Sequence, residues 1–306
     1  MAKRSNKGFD YAVYLALRLV ETLIHTLPLE TSYGLARRLG DALHRFDRRH
    51  RDRAADHIRQ SFPEWEEARV QDVCRGAMRN MIYLGLEALL TRRRITKVRW
   101  RKYFHVSAAA EALRMATERK GPLIFLTGHL GNFEVTGHTM ALLGYPGVAL
   151  ARRLDNPYLD RHLIDFREAA GQKIVDKRGA MEAVPKVLAD GGIVSIIADQ
   201  DAGPKGVFVD FFGRPASTYK SFGLMAIRYD APIIVGFGHR IGERYEFELI
   251  CQKIIRPEEW AHQADPLHWI TREYTRALEN AVRLSPEQYF WVYRRWKSQP
   301  REKGRG

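Results

Sequence analysis

The chain is poor in cysteine and lacks the common nucleotide-binding motifs. Its two cysteines, Cys74 and Cys251, are far apart and indicate neither a disulfide scaffold nor a cysteine zinc site. No G-x-G-x-x-G follows a predicted strand, no phosphate loop ends in Gly-Lys-Ser/Thr, and no G-x-S-x-G elbow is present. The 11 histidines lack metal-ligand spacing. These absences disfavour hydride transfer, ATP hydrolysis and serine hydrolysis, and we expect neither a cofactor nor a metal.

Acidic residues are also in deficit. The chain has 50 Lys and Arg against 36 Asp and Glu, a net charge of +14, and a pI near 9.9. This imbalance indicates an anionic partner, which would be nucleic acid, an anionic bilayer, or an acidic carrier protein with a phosphorylated substrate. Hydrophobic residues make up 45% of the chain, which is ample for a core and excludes a disordered or fibrous protein.

A long uncharged apolar run is missing from the N-terminal segment. Residues 11–27 are short for a transmembrane span and contain Arg18, Glu21 and His25, which share one helix face. The remaining positions form a wide apolar surface. This pattern fits an interfacial membrane helix and a helix packed on the protein core equally well.

A basic cluster at residues 92–102 favours the membrane interpretation. It contains seven arginines and lysines and no acid, with Trp100 among them. A second arginine-rich stretch covers residues 37–59. Solvated helix faces usually mix charges of both signs, whereas an unbalanced cluster with an aromatic residue suits phosphate or lipid headgroups. We therefore expect attachment to an anionic membrane surface through residues 8–28 and this cluster.

Periodicity predicts an α/β fold with a helical N-terminal extension. Residues 8–93 are predicted to be all-helical, with breaks near Pro28 and Phe62-Pro63. Strands are predicted at 122–127, 147–151, 192–198, 232–238, 245–250 and 289–294. Helices are predicted at 108–118, 133–143, 157–170, 180–190, 218–229 and 267–284. This alternation indicates a mixed, largely parallel sheet flanked by helices. We divide the chain into a helical membrane-associating region (1–105), one continuous α/β core (106–300) and a basic tail (301–306).

The most informative motif is Gly-His-Leu-Gly-Asn-Phe-Glu at 128–134, directly after the predicted strand 122–127. His129 is placed at the end of a strand, where ligands of such sheets bind, and Glu134 in the first turn of the next helix. A tight turn would fold the Glu134 carboxylate back onto one imidazole nitrogen. The other nitrogen would then be free to take a proton, which predicts a general base and its orienting partner.

Other polar residues also lie at predicted strand ends. Arg152 and Asn156 follow the strand 147–151, with Asn156 placed to cap the helix that starts at Pro157. Arg167 lies late on that helix. Asp199 and Asp201 end an apolar strand, where paired carboxylates suit metal binding, orientation of a hydroxyl, pairing with Arg167, or turn formation before Gly-Pro.

Two aromatic segments follow. Residues 207–216 suit either an apolar channel or core packing. Residues 286–297 end in a basic, Trp-bearing sequence of the kind found at membrane–water interfaces.

In order and spacing these motifs resemble one family, the bacterial lipid A biosynthesis lauroyl/myristoyl acyltransferases, within the glycerolipid acyltransferase superfamily. The resemblance runs from about residue 10 to 300 and is carried by His129-x4-Glu134, Arg152-x-x-Asp155-Asn156-Pro157, Asp199-Gln200-Asp201-x-Gly203-Pro204, Val207-Phe208-Val209 with Phe212, and Pro286-Glu287-Gln288-Tyr289-x-Trp291-x-x-Arg294-Arg295. Two features depart from the family. Its members often carry His at the position of Gln200, and their N-terminal helix spans more clearly.

The resemblance implies an enzyme at the cytoplasmic face of the inner membrane. It would move an acyl chain from acyl carrier protein, or from acyl-CoA, to a hydroxyl of a lipid A precursor. His129 matches the family's base and Glu134 its partner. Arg167 and Asp199 match further active-site positions, and Arg152, Asn156 and Asp201 are added as substrate-binding candidates. Arg167 and the backbone N–H groups at the helix start are candidates to stabilise the oxyanion.

Two alternatives stay open at the level of sequence. The same residues suit acylation of another lysophospholipid, a phosphatidylinositol mannoside or an aminolipid. A basic nucleic-acid-binding protein would also account for the charge. However, neither RNP-type aromatics nor a helix-turn-helix pattern is present, and that function would leave the apolar N-terminal helix unexplained, so we expect no nucleic-acid partner.

Overall fold

The described N-terminal region is helical. The computed structural model describes residues 6–151, 153–176 and 180–300. This part begins with the helices α1 (Lys7–Thr26), α2 (Leu29–Phe46), α3 (Arg48–Ser61) and α4 (Glu67–Arg94). The breaks predicted near Pro28 and Phe62 are confirmed. An additional break at Asp47 was not predicted, and there the Asp47 carboxylate accepts from the backbone N–H of His50 and caps α3.

A mixed sheet forms the centre of the fold. Its elements are β1 (Phe104–His105), α5 (Ala110–Glu118), β2 (Leu123–Thr127), α6 (Phe133–Leu142), β3 (Val148–Ala151), α7 (Pro157–Glu168), β4 (Lys173–Asp176), α8 (Ala180–Ala189), β5 (Ile193–Ile197), β6 (Val207–Phe211), β7 (Arg214–Thr218), α9 (Lys220–Tyr229), β8 (Ile233–Arg240), β9 (Phe247–Ile255), α10 (Pro257–Trp260) and α11 (Pro266–Leu284). Within the described residues the main sheet has seven strands in the order β1-β9-β8-β2-β5-β3-β4. All neighbouring pairs are parallel except β8 with β9, which confirms the predicted fold class.

The two faces of β2 contact different parts of the protein. Ile124 is fully buried in one large cluster that also contains Ile58 of α3 and Met78 of α4. The opposite face carries Phe125, which packs among residues of α5 and β9. Side chains that alternate along one strand therefore pack on opposite sides of the sheet. One side contacts the N-terminal helices, and the other faces the region around α5 and α6. The helical region and the sheet share a core.

Helix α1 lies at the edge of this core: none of its residues is buried, and its Ile24 packs against a core cluster. It packs against α4 and α7. The Asn156 amide at the start of α7 donates to the carbonyl oxygen of Asp10, with a distance of 2.9 Å between Nδ2 and O. Among the described helices, none combines the length and the apolar composition needed to cross a membrane.

Several predicted elements differ from those observed. The strand predicted at 289–294 is absent, because a 3-10 turn at Pro286–Gln288 and local turn hydrogen bonds fold that segment irregularly. Strands β1, β4, β6 and β7 were not predicted. The short hairpin β6–β7 carries the aromatic segment at 207–216, and its Phe211 and Phe212 are buried in the core.

Candidate active site

The site forms where β2 and β5 end side by side. These strands are parallel, with Thr127 opposite Ile197. Two residues further along each strand, His129 faces Asp199, and the imidazole Nδ1 lies 2.7 Å from Oδ1 of the carboxylate. The backbone N–H of His129 donates to the other oxygen, Oδ2, at 2.9 Å. The Asp199 side chain is 1% exposed and that of His129 is 11% exposed, so of the two only the imidazole has an accessible edge.

The surroundings of Asp199 fix its charge and therefore the imidazole tautomer. Burial opposes the charged form of this carboxyl, but the adjacent His129 and the two hydrogen bonds from it outweigh that cost and hold the pKa of Asp199 below its ordinary value. The ionised carboxylate accepts a hydrogen bond from Nδ1–H. The nitrogen Nε2 therefore carries no proton and can act as an acceptor.

Two glycines permit the turn that carries His129. A side chain at Gly128 would press against the Asp199 carboxylate, with the added carbon 3.3 Å from Oδ2. Gly131 has a positive φ of 59°, and a side chain there would collide with the backbone carbonyl of Gly238. That conformation and that close approach require glycine. They bring the backbone N–H of Asn132 within 3.1 Å of the same Gly238 carbonyl oxygen.

Glu134 does not contact His129 in the way the sequence predicted, and this prediction is corrected. Its carboxylate forms a two-point ion pair with Arg167 of α7, with Oε2 3.0 Å from Nε and Oε1 2.5 Å from Nη2. Helix α6 begins at Phe133, after the Asn132 cap, and carries Glu134 to α7. Burial opposes the charge of Arg167, but the Glu134 carboxylate raises the pKa of the guanidinium overall. The carboxylate that contacts the His129 imidazole is that of Asp199.

A buried polar network fixes the start of α6. Oδ1 of Asn132 accepts from the N–H groups of Glu134 and Val135, and its Nδ2 donates to Oε2 of Glu87 at 2.7 Å. Glu87 is fully buried on α4, and its other oxygen lies 3.2 Å from Nη1 of Arg240 on β8. Burial is the main cause that raises the pKa of Glu87. The network therefore connects a helix of the N-terminal region to the cap beside the site.

An apolar cavity of about 140 Å³ opens beside the Glu134–Arg167 ion pair. Most of its wall consists of apolar side chains from β2, α5, α6 and β9, and Glu134 and Arg167 provide its charged part. Phe133 also lines it, and the Phe133 ring lies 5.2 Å from the imidazole ring of His129. Of the predicted site residues, Glu134 and Arg167 line the cavity, and the Phe133 ring lies between it and the His129–Asp199 pair.

The other predicted site residues have different surroundings. Arg152 lies outside the described residues. Asn156 caps α7, as predicted, by accepting from the N–H groups of Tyr158 and Leu159. The Asp201 carboxylate accepts from the backbone N–H of Gly203 and from Ser298. In the described ranges, no group of three or more His, Cys, Asp or Glu residues is arranged to hold a metal ion.

Sequence reasoning missed the contribution of the C-terminal segment. The backbone N–H of Phe290 donates to the carbonyl oxygen of His129 at 3.0 Å. The Tyr293 hydroxyl lies 3.3 Å from Nε2 of His129. The aromatic composition of residues 286–297 was a signal of this role, but it was assigned to a strand and to a membrane interface.

These features define an α/β enzyme with a histidine–aspartate pair beside a cavity for an apolar group. The chain belongs to the bacterial lipid A biosynthesis acyltransferase family, whose model matches residues 3–298. It is an acyltransferase, and the resemblance seen in the motifs is confirmed.

Named relatives support the same assignment. The chain is 25% identical over 289 residues to the lipid A biosynthesis lauroyltransferase of Escherichia coli K12, which covers 91% of this chain and 89% of that protein. It is 22% identical over 275 residues to a lipid A biosynthesis acyltransferase of Haemophilus influenzae, covering 88% and 83%. A shorter similarity, 30% over 91 residues, relates it to the phosphatidylinositol mannoside acyltransferase of Mycobacterium tuberculosis H37Rv, covering 28% and 29%.

Proposed function

We propose that this protein transfers a fatty acyl chain from an acyl thioester to a hydroxyl of a lipid A precursor. The observation that carries the proposal is the His129–Asp199 pair, which the Phe133 ring connects to a cavity lined mostly by apolar side chains. The relatives that cover most of the chain are named for lipid A biosynthesis, which supports this acceptor. The net charge of +14 suits an acidic acyl carrier protein as donor and a phosphorylated glycolipid as acceptor, with acyl-CoA as the other donor.

In the proposed reaction the acceptor hydroxyl gives its proton to Nε2 of His129 as its oxygen attacks the thioester carbonyl. Asp199 holds the tautomer and stabilises the imidazolium that forms. Collapse of the tetrahedral intermediate breaks the carbon–sulfur bond, and the imidazolium returns the proton to the leaving thiolate. The Glu134–Arg167 ion pair holds α6 against α7 and fixes the polar part of the cavity wall next to the acyl carbonyl.

Lipid mass spectrometry tests the acceptor. Cells with and without this protein are compared, and the purified protein is given a carrier-bound or CoA-bound acyl group with separate acceptors. A mass increase of one acyl group on lipid A, dependent on the protein, is expected. Transfer only to a phosphatidylinositol mannoside, a lysophospholipid or an aminolipid would contradict lipid A as the acceptor and identify that lipid instead. The short similarity to a mannoside acyltransferase makes that lipid the first alternative to test.

The cavity predicts a change in acyl-chain preference when its wall is enlarged. Ala112 of α5 is buried and lines the cavity. Ala112→Leu is expected to shift the ratio of kcat/KM for lauroyl over myristoyl donors by about tenfold towards the shorter chain, because two methylenes lose roughly 1.6 kcal/mol of burial. Ala116→Leu is the control, since Ala116 is buried on the same helix outside the cavity wall. An equal shift in both variants would assign the effect to overpacking of α5.

We also propose that α1 attaches the protein to the cytoplasmic face of the inner membrane. Its apolar Leu15, Leu19 and Leu23 are about half exposed, at 48%, 61% and 54%. Its polar Glu21 and His25 side chains instead face the protein, at 17% and 7% exposure. Another part of the apolar surface of α1, including Ile24, packs against the protein, but these three leucines are left uncovered, which suits a helix that lies on lipid.

The basic cluster lies near the same helix. Burial is the first cause that lowers the pKa of His25, and the charge of Arg93 at the end of α4 is the next, with a smaller contribution from Arg94 against the opposing effect of Glu21. Those arginines therefore lie close to the C-terminal part of α1. Each basic residue near an anionic bilayer adds roughly 1 kcal/mol to binding. Together they supply a second signal for stable attachment alongside the apolar face of α1.

Vesicle binding tests this attachment. The triple variant Leu15→Gln, Leu19→Gln and Leu23→Gln is expected to lose most of its co-sedimentation with phosphatidylglycerol vesicles, and high salt is expected to weaken binding of the unmodified protein. The control is a triple glutamine variant at other exposed apolar positions, Leu224, Ile227 and Leu284. Equal losses in both triple variants would contradict a specific role for α1. Binding that resists salt and yields only to detergent would indicate deep insertion.

A further inference from the structure

The Tyr293 side chain occupies the approach to the catalytic nitrogen. Its hydroxyl oxygen lies 3.3 Å from Nε2 of His129, and the two rings meet edge to face with centroids 4.6 Å apart. Because Nδ1–H donates a hydrogen bond to the Asp199 carboxylate, Nε2 is the accepting nitrogen and the tyrosine hydroxyl is the donor. A hydroxyl donor is thus already present where the acceptor substrate must bring its own hydroxyl.

Several of the groups expected to stabilise the oxyanion already have a strong acceptor. Nε and Nη2 of Arg167 both contact the Glu134 carboxylate. The backbone N–H groups of Glu134 and Val135, at the start of α6, both donate to Oδ1 of Asn132. An oxyanion needs a preorganised donor that is not already satisfied by a stronger acceptor. Among these groups and Tyr293, only the tyrosine hydroxyl has the catalytic imidazole itself as its partner.

The position of Tyr293 is well supported by its neighbours. Its ring lies 5.0 Å from that of Phe290, and its backbone N–H donates to the carbonyl oxygen of Phe290 at 3.1 Å. Nη1 of Arg53 donates to the carbonyl oxygen of the preceding residue, Val292, at 3.1 Å. Burial is the first cause that raises the pKa of Tyr293, so its hydroxyl keeps its proton at neutral pH and stays a donor. The ring is fixed while the hydroxyl can exchange one acceptor for another.

We propose that Tyr293 is a catalytic residue whose hydroxyl donates a hydrogen bond to the oxyanion formed at the acyl carbonyl. This inference rests on the proposed acyl transfer. When the acceptor hydroxyl binds to Nε2 it displaces the tyrosine hydroxyl. The attacking oxygen and the carbonyl oxygen become bonded to the same carbon, so the oxyanion forms within reach of the displaced hydroxyl. Tyr293 keeps its proton throughout, because the acceptor's proton goes to Nε2 and then to the thiolate.

The variant Tyr293→Phe keeps the ring and removes only the hydroxyl. Removing one such donor is expected to lower kcat for transfer by about 100-fold. Hydrolysis of the acyl thioester by water, measured without any acceptor lipid, passes through the same oxyanion and is expected to fall by the same factor. Tyr274→Phe is the control, because it removes a buried hydroxyl that donates to the carbonyl oxygen of Tyr219 at 3.0 Å. We expect that control to retain both activities and the phenylalanine at 293 to leave Tm unchanged.

Each outcome decides between roles. A loss of transfer with unchanged hydrolysis would assign Tyr293 to acceptor binding and overturn the proposal, as would retention of kcat within about threefold, well short of the expected loss. If the unmodified protein neither transfers acyl groups nor hydrolyses acyl thioesters, the proposed function fails first. Replacing Tyr293 with 3,5-difluorotyrosine gives a second measurement, because the fluorinated hydroxyl loses its proton at lower pH. Activity should then decline at a correspondingly lower pH, and an unchanged pH profile would also overturn the proposal.

Discussion

Replacing His129 with alanine is expected to reduce kcat for acyl transfer by about 10²–10⁴-fold, because the attacking hydroxyl loses its proton acceptor. The side chain is only 11% exposed, and its removal leaves the buried Asp199 carboxylate without its ring partner. We therefore expect some loss of Tm as well, so kcat is compared at a temperature at which the variant is folded. Steady-state kinetics together with thermal unfolding provide the check.

Asp199→Asn tests the orienting partner within the same pair. The carboxylate accepts from the ring with one oxygen and from the backbone N–H of His129 with the other. In the amide of the same shape, one of these oxygens is replaced by an NH₂ group. If that group faces Nδ1, it favours the tautomer in which the proton is on Nε2. The expected loss in kcat is on the order of 10⁴-fold, as for triads in which the orienting carboxylate becomes an amide. Asp210→Asn is the matched control, because Asp210 lies on β6 and accepts from the N–H of Gly213. Near-normal kcat for Asp199→Asn with a large loss for Glu134→Gln would restore the partner predicted from sequence.

The second large effect is on stability and concerns the buried pair of Arg240 and Glu87. Arg240→Met is expected to lower the free energy of unfolding by about 3–5 kcal/mol, because it leaves a buried carboxylate without its cation. Equilibrium denaturation in urea measures this loss. Arg79→Met is the control, since its ion pair with Asp41 is much more exposed, at 26% and 40%, and exposed pairs contribute at most about 1 kcal/mol. A loss no larger than that of the control would contradict a structural role for the buried pair.

We also expect the destabilisation caused by Arg240→Met to depend on pH. The pKa of Glu87 is raised above its ordinary value of 4.5, so the folded state binds its proton more tightly than the unfolded state. The free energy of unfolding therefore falls as the pH rises from about 4.5 to the raised pKa. Arg240 opposes the rise in this pKa, and its removal extends the window upwards. The destabilisation of Arg240→Met should accordingly be larger at pH 8 than at pH 5, and a constant difference would contradict this assignment.

The sequence predicts where the strands lie better than it predicts which strands lie side by side in the sheet. The runs that form β2, β5 and β8 are recognisable because each is a short apolar segment between turn residues. Nothing local to residues 128–134 indicates that β5 pairs with β2, and that pairing places Asp199 opposite His129. The sequence offers Glu134 as the partner because it is near in the chain. Helix α6 instead carries that carboxylate to Arg167, which lies on a later helix.

The C-terminal segment shows a different limit. Tyr289 and Trp291 alternate with less buried residues, as the side chains of a strand do, and both are almost fully buried. Turn hydrogen bonds rather than a ladder hold this segment, with the N–H of Trp291 donating to the carbonyl oxygen of Tyr289. Alternation in the sequence indicates which side chains are buried. It does not determine the backbone conformation, which depends on the parts of the fold that these side chains pack against.

The reaction centre is built from contacts between residues distant in the chain, and this affects how the protein acquires activity. The carboxylate partner is 70 residues from His129, and Tyr293 is 164 residues from it. Closing such long loops costs chain entropy before any contact rewards it, so these contacts form slowly compared with local helices. During refolding, the helical circular dichroism signal should therefore recover before enzymatic turnover does. The chain has to complete these remote pairings before His129, Asp199 and Tyr293 come together.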